Sequence, residues 1–355
     1  MAETAKFVQY TTREGHIQPN LVLRPGSLIN ARRALTIMFH YAIIFPRMRI
    51  IRNLKNLTEK FLNPVLTLGN FDGVHLGHQA ILKKVVMRAR ELGGTSIVFT
   101  FEPHPLKVLA PGRSPRLLNT FDSKMKLFTA VGIDVVICAE FNHAFAEQNP
   151  EDFARNILHE KIGVKEVYVG YNYAFGKSRE GGIESLKKIG QSCRFYVGVV
   201  EAIRINNMVA SSSAARDLIS SGQVDKAADL LGRYYSIEGH VVHGSHLGHA
   251  LGFPTANLRT QNEQLPAYGV YAVLADIEGR RHEGVASIGV RPTFESGQLS
   301  IEVYLLNFDG DLYEKQMEVF FIRYLREEKK FPDVQALKSQ MRRDVEEAKR
   351  ILLPR

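Results

Sequence analysis

From Met48 onward, short apolar runs alternate with longer stretches of helical period. Pro64–Leu68 is an apolar run that ends at Gly69 and a Gly/Asp-rich turn, and a helical pattern follows from about His78 to Leu92. Ser96–Phe101 reads as a second strand, stopped by Pro103 and Pro105. Lys124–Val131 has helical spacing, Asp134–Cys138 reads as strand, and Glu151–Lys161 is helical behind Pro150, a residue suited to a first helical turn. Glu166–Val169 and Arg194–Val200 are further strands. Strand and helix in alternation predict parallel βαβ units, with ligands bound beyond the carboxyl ends of the strands.

The rhythm changes near Gly232. Ser236–His243, Gly269–Ile277, Gly284–Gly289, Leu299–Leu306 and Met317–Tyr324 are β-rich runs separated by turn residues, with no helical pattern between them. That predicts an antiparallel barrel or sandwich. Helical spacing returns through Leu325, Leu337, Met341, Val345 and Ala348, and a helix over 213–231 is expected to join the halves. These signals divide the chain into an extension over 1–47, disordered or non-native, and domains over 48–230 and 231–355.

Composition narrows the function class. The 355 residues are 45% hydrophobic and 23% charged, in the globular range. Two isolated cysteines, Cys138 and Cys193, support neither a disulfide framework nor a thiolate metal site, and favour a cytoplasmic location. The longest apolar run, Ala34–Phe45, has 12 residues and contains His40, whereas a spanning helix needs about 20. No membrane partner is expected. The net charge is +9, but residues 1–47 hold six basic and two acidic side chains, so nearly half of it lies there. Nucleic-acid binding needs clustered cations and is not expected; a small-polyphosphate enzyme, monomeric or weakly self-associating, is.

The most informative segment is Leu68-Gly69-Asn70-Phe71-Asp72-Gly73-Val74-His75-Leu76-Gly77-His78-Gln79. Its glycines let a backbone pass close to a ligand, and a strand-to-helix turn can offer N–H groups to phosphate. His75 and His78, three apart, project on one side of the first helical turn and can donate to a transferring phosphoryl group. This segment resembles the nucleotide-binding motif in the adenylyltransferase half of bacterial bifunctional riboflavin kinase/FAD synthetases. Phe101-Glu102-Pro103-His104-Pro105 and Gly170–Gly176, with Lys177 and Arg179, extend the likeness. So does Ser211-Ser212-Ser213-Ala214-Ala215-Arg216, which has Ala214 where a basic residue is usual. The resemblance implies a Rossmann-like nucleotidyltransferase sheet and ATP contacts from Gly69, Asn70, Phe71, Asp72, Gly77, Asn172, Ser212, Ser213 and Arg216. It gives His75 and His78 a catalytic role. Ser212 and Ser213 also suit the N-cap of the joining helix.

The second half contains Gly239-His240-Val241-Val242-His243-Gly244 and then Gly252-Phe253-Pro254-Thr255-Ala256-Asn257-Leu258. Thr255 and Asn257, two apart on extended backbone, point the same way and offer neutral oxygen suited to Mg²⁺. Glu302 lies within an apolar strand, as an outward residue or as a placed carboxylate. With Ile288–Phe294 and Glu302–Tyr313, these runs resemble the riboflavin kinase half of the same enzymes, in the same order. The resemblance implies a β-barrel in which Glu302 takes the proton from the 5′-hydroxyl of riboflavin. Thr255 and Asn257 would hold Mg²⁺, and His243, Gly244, Gly252 and Pro254 would contact ATP. His249, Ser287 and Glu314 depart from the usual Arg, Asn and Gly. The expected function is ATP-dependent conversion of riboflavin to FMN and of FMN to FAD. Retention of one activity, the kinase first, and flavin binding without turnover are the alternatives.

Overall fold

The computed structural model describes residues 48–176, 181–244, 248, 251–290 and 299–353. Six parallel strands form the first sheet: β1 (Arg49–Arg52), β2 (Val65–Leu68), β3 (Ser96–Glu102), β4 (Val135–Glu140), β5 (Glu166–Gly170) and β6 (Tyr196–Val200). Their spatial order is β1-β4-β3-β2-β5-β6. β2 is buried at all four positions, as expected of a strand covered on both faces. On one face, Leu82 and Val85 of α1 (Leu76–Glu91) and Phe128 of α2 (Phe121–Val131) pack together. On the other, Leu186 and Ile189 of α3 (Ile183–Cys193) join Leu158 and Phe99. The sheet builds outward from β2 in both directions, so the crevice beyond β2 and β5 is the topological switch point where α/β sheets bind ligands.

Two helices, α4 (Ser212–Ser220) and α5 (Val224–Leu231), lead to the second half. The single helix expected over 213–231 is broken at Gly222, which takes φ +78°. Six antiparallel strands then close a barrel: β7 (Tyr235–Val242), β8 (Thr255–Thr260), β9 (Gly269–Ile277), β10 (Arg280–Val290), β11 (Leu299–Leu305) and β12 (Gln316–Arg326). Around the barrel they run β7-β8-β11-β10-β9-β12. Alternation puts Ile301, Val303 and Leu305 inside, with Tyr271, Val319 and Phe321. The same apolar cluster takes in Leu118 of the first half, Ala215 and Ile219 of α4, and Ala227 and Leu231 of α5. The barrel interior and the connector therefore share one core.

Several elements differ from the pattern reading. Leu325 belongs to β12, and the terminal helix α6 starts only at Val334, capped by Asp333. Residues 153–162 form a π-helix after a short α-turn at Pro150–Asp152, in place of one α-helix. β8 is a full barrel strand although its sequence reads only as an extended turn, and α3 lay unrecognised between two strands. Both cysteines are buried and free. Among the described residues, no helix is long and apolar enough to cross a membrane.

Candidate functional sites

β2 ends in a turn with three positive φ angles close together, at Phe71 (+52°), Gly73 (+80°) and Val74 (+38°). A β-branched residue is a rare occupant of that region, and such strain costs of order 1–3 kcal/mol unless its surroundings enforce it. Here they do. The Asp72 carboxylate accepts from the Leu118 N–H at 2.9 Å and pairs with Arg216 at 2.8 Å, while the Asp72 carbonyl accepts from Ser212 Oγ at 2.9 Å. The Val74 carbonyl accepts from Gln79 Nε2 at 2.9 Å, and the Gly73 carbonyl from Arg233 at 2.8 Å. The turn is thus tied at once to the segment before α2, to α4 of the connector, to α1 and to the segment that leads into β7.

His75 is the N-cap of α1, its ring accepting from the His78 N–H. The two imidazoles stack with centroids 3.6 Å apart, so both do stand on one side of the first turn. Burial, and then the charge of Arg233, lowers the His75 pKa to about 4. Burial, with His75, Lys124 and Arg233, holds His78 well below its ordinary value. Both rings are therefore neutral near pH 7, able to donate one N–H each but not a full charge. His78 Nδ1 is buried and has no hydrogen-bond partner, which leaves a polar atom to satisfy at the heart of the site. A side chain at Gly77 would press on the His75 ring at 3.1 Å and on the Ala210 carbonyl at 3.3 Å.

Other candidates gather around this turn. Gly69 continues β2, its N–H bonded to the Phe99 carbonyl at 3.1 Å. The Phe71 ring meets the His78 ring edge-on at 5.2 Å and lies in the core, so it shapes the site from behind. Asn70 Nδ2 is 3.2 Å from His104 Nε2, which joins the first motif to the Pro103-His104-Pro105 segment. Asn172 is exposed just past β5, at the switch point. Ser211, not Ser212 or Ser213, is the N-cap of α4, accepting from the Ala214 N–H at 3.2 Å. That corrects the capping expectation: Ser212 is turned to the Asp72 carbonyl, and Ser213 is exposed. Lys177 and Arg179 lie outside the described residues.

Lys124 was missed by the pattern reading. It is 9% exposed, with Nζ 3.4 Å from the Asn70 carbonyl, and burial lowers its pKa. It lines a cavity of about 180 Å³ with Asn70, Phe101, His104, Lys107 and Phe121. Its signal was present: Phe121, Lys124, Met125 and Phe128 share one face of α2, and a cation on an apolar face is costly without purpose.

The second cluster sits on the outside of the barrel. Asn257 and Glu302 face each other in register across β8 and β11, two pairs along from Thr255 and Tyr304. Thr255 Oγ1 donates to Glu302 Oε2 at 3.3 Å, and Ser300 Oγ to Oε1 at 3.1 Å. Ala256 and Leu258 turn inward, so Thr255 and Asn257 do share a face. A Cβ at Gly244 would collide with the Asn257 side chain, and one at Gly248 would reach Thr255 Oγ1 at 2.8 Å. Two glycines thus allow loop backbone to close over the Thr/Asn pair. Gly252 takes φ +84°, ahead of Pro254, and His243 stacks on Tyr313 with centroids 3.9 Å apart. Ser287 pairs in register with Glu302, and Glu314 takes φ +62°, a conformation that glycine adopts without strain. Residues 291–294 of the second motif and His249 lie outside the described residues.

Comparison with known proteins matches the two halves of the chain to two family models. An FAD synthetase model covers residues 58–214, and a riboflavin kinase model covers 231–352. The chain is 38% identical to a bifunctional riboflavin kinase/FMN adenylyltransferase of Pseudomonas fluorescens, over 86% of this chain and 99% of that one. It belongs to that bifunctional family. The family's Escherichia coli K12 member is 35% identical over 84% of this chain and 96% of its own. Among solved structures, a Streptococcus pneumoniae chain named as a macrolide-efflux protein superposes with TM-score 0.78 and 28% identity. The match covers 85% of this chain and 99% of that one. FAD synthetase and riboflavin kinase halves therefore stand in the family order, on a parallel sheet and a closed barrel.

Proposed function

We propose that the chain makes FMN from riboflavin and ATP at the barrel, and FAD from FMN and ATP at the strand–turn–helix site, within domains over 231–355 and 48–230. The observation that carries this reading is the pairing of Glu302 with Thr255 at 3.3 Å on the barrel of a chain that also holds the His75/His78 stack.

The two reactions ask different things of the protein. An alcohol must lose a proton to attack, so the first site needs a base. Glu302 takes the proton of the riboflavin 5′-hydroxyl as the oxygen bonds to the γ-phosphorus, and ADP leaves. Hydrogen bonds donated by Thr255 and Ser300, one to each carboxylate oxygen of Glu302, hold the carboxylate in one orientation. Thr255 and Asn257 would hold Mg²⁺, since their neutral side-chain oxygens are the hard donors that such a cation takes. Bound there, the ion supplies charge neutralisation for the transferring phosphoryl group. His243, Gly244, Gly252 and Pro254 form the nucleotide side of the cleft.

FMN brings an oxygen already ionised, and the second site therefore needs no base. It must align two anions and neutralise charge at the α-phosphorus while pyrophosphate leaves. His75 and His78 donate neutral N–H groups there, and the turn Gly69–Asp72 and Gly77 lie against the nucleotide. Asp72 holds Arg216 in place at 2.8 Å, so its guanidinium is positioned before any phosphate arrives. Ser212, Ser213 and Asn172 complete the ATP contacts.

Incubation of the purified chain with Mg-ATP and riboflavin, with flavins followed by chromatography, tests the reading. FMN appearing first and FAD second supports it. FMN that accumulates, with added FMN also unconverted, limits the chain to the kinase; bound flavin with no product overturns both activities. Removal of residues 1–47 is expected to leave both rates unchanged, because both family matches begin after them.

A further inference from the structure

We propose that Arg233, the second residue beyond α5, is a positioning residue for adenylyl transfer, clamping the nucleotide-binding turn from the barrel side. The inference rests on reading residues 69–78 as the adenylyl-transfer site.

Arg233 inserts its guanidinium beneath the turn. It donates to the Gly73 carbonyl at 2.8 Å, the Val74 carbonyl at 3.2 Å and the Leu231 carbonyl at 3.3 Å. A planar guanidinium with several fixed donors suits such a multiple contact, whereas a lysine ammonium reproduces only part of it. Gln79 repeats the bridge, joining the Val74 carbonyl at 2.9 Å to the Leu231 carbonyl at 2.7 Å. Two side chains therefore tie the turn to the end of the connector.

The clamp has a direction. Across a trans peptide bond the carbonyl and the following N–H point opposite ways. Holding the Val74 carbonyl towards Arg233 aims the His75 N–H away from it, at the start of α1. It also holds Val74 at φ +38°, which the residue would leave if released. The acceptors are neutral, so the guanidinium charge still acts on the site, where it helps keep His75 and His78 uncharged. Burial costs the group enough water to lower its own pKa to about 10, so it remains a cation at neutral pH. A residue of the kinase half thus completes the geometry of the other half's site.

The test uses the full chain with Arg233→Met and Arg233→Lys, both activities measured on each preparation while ATP is varied. Arg233→Met is expected to lower adenylyl-transfer kcat/KM by about 10²-fold, mostly in kcat, with riboflavin phosphorylation within about twofold. Arg233→Lys should recover part of that loss. Adenylyl transfer within about threefold of the unaltered chain, or parallel loss of both activities, overturns the proposal. If Arg233→Met fails to fold, Gln79→Leu probes the same clamp, with about a tenfold loss expected; an unchanged rate overturns it. His78→Ala separates the two levels of inference. Unchanged adenylyl transfer in that variant means that the reading of 69–78 has failed, whatever Arg233 does.

Discussion

The two sites solve the same electrostatic task with opposite materials. The barrel site is built on regular strands: Thr255, Asn257 and Glu302 occupy ordinary positions of β8 and β11, fixed by register. The turn site is built on irregular backbone, with Phe71, Gly73 and Val74 in the left-handed region and two histidines deprived of water. On the assignment proposed above, the difference follows from what each substrate lacks. Riboflavin's alcohol lacks a negative charge, so a carboxylate can stand beside it. FMN and ATP bring charge in excess, and a carboxylate facing them would repel. The acid that does occur there, Asp72, is tied by Arg216 and two backbone N–H groups and is 6% exposed.

The largest effect should come from the proposed base, Glu302. Glu302→Gln keeps the shape but cannot accept the proton, and riboflavin phosphorylation is expected to fall about 10²–10⁴-fold. FMN-to-FAD conversion by the same preparation should be unchanged, and loss of both would dissolve the distinction between the sites. The reverse experiment is His78→Ala, for which removal of one preorganised donor should cost adenylyl transfer about 10²–10³-fold. Kinase turnover followed by FMN formation should not respond.

The buried histidines also make acid a probe of the turn. The His75 pKa drops from 6.5 to about 4 on folding, so between those values the unfolded chain binds more protons than the folded one. Its contribution is complete above pH 6.5 and is lost as pH falls towards 4, amounting to about 3 kcal/mol over the whole window. Urea midpoints at pH 7 and 4.5 should drop less for His75→Gln than for the unaltered chain. An equal drop would show that His75 is not held neutral. The smallest expected effect is at the barrel: Glu314 sits at φ +62°, and Glu314→Gly should stabilise by about 1 kcal/mol in urea melts. A loss of stability would mean that its side chain contributes more than its backbone costs.

Legibility in the sequence followed the range of the interactions involved. The strand, glycine turn and histidine pair at 65–78 are local, and their spacing carries their geometry. Thr255 and Asn257 likewise share a face because strand period is two. β8 escaped because Thr255–Thr260 buries only Ala256 and Leu258, too few apolar positions to mark a strand. The joining helix read as continuous because one glycine at 222 is weak evidence against a helical period. The clamp between Arg233 and Gly73 spans 160 residues, and no local pattern could announce it. Lys124 lies between these cases: its misplacement on an apolar face was visible, while its partner, the Asn70 carbonyl, was not.

One consequence concerns where the protein can be divided. Ala215, Ile219, Ala227 and Leu231 share their apolar cluster with Tyr235, Ile237 and Phe321 of the barrel. A scission between 230 and 231, where the sequence rhythm changes, would strip both fragments of apolar partners and leave oily scars on each. A kinase fragment meant to stand by itself would have to carry the connector from about residue 211. The adenylyltransferase fragment would then lose Arg216, the partner of Asp72. The seam where the chain changes character is not the seam along which it comes apart.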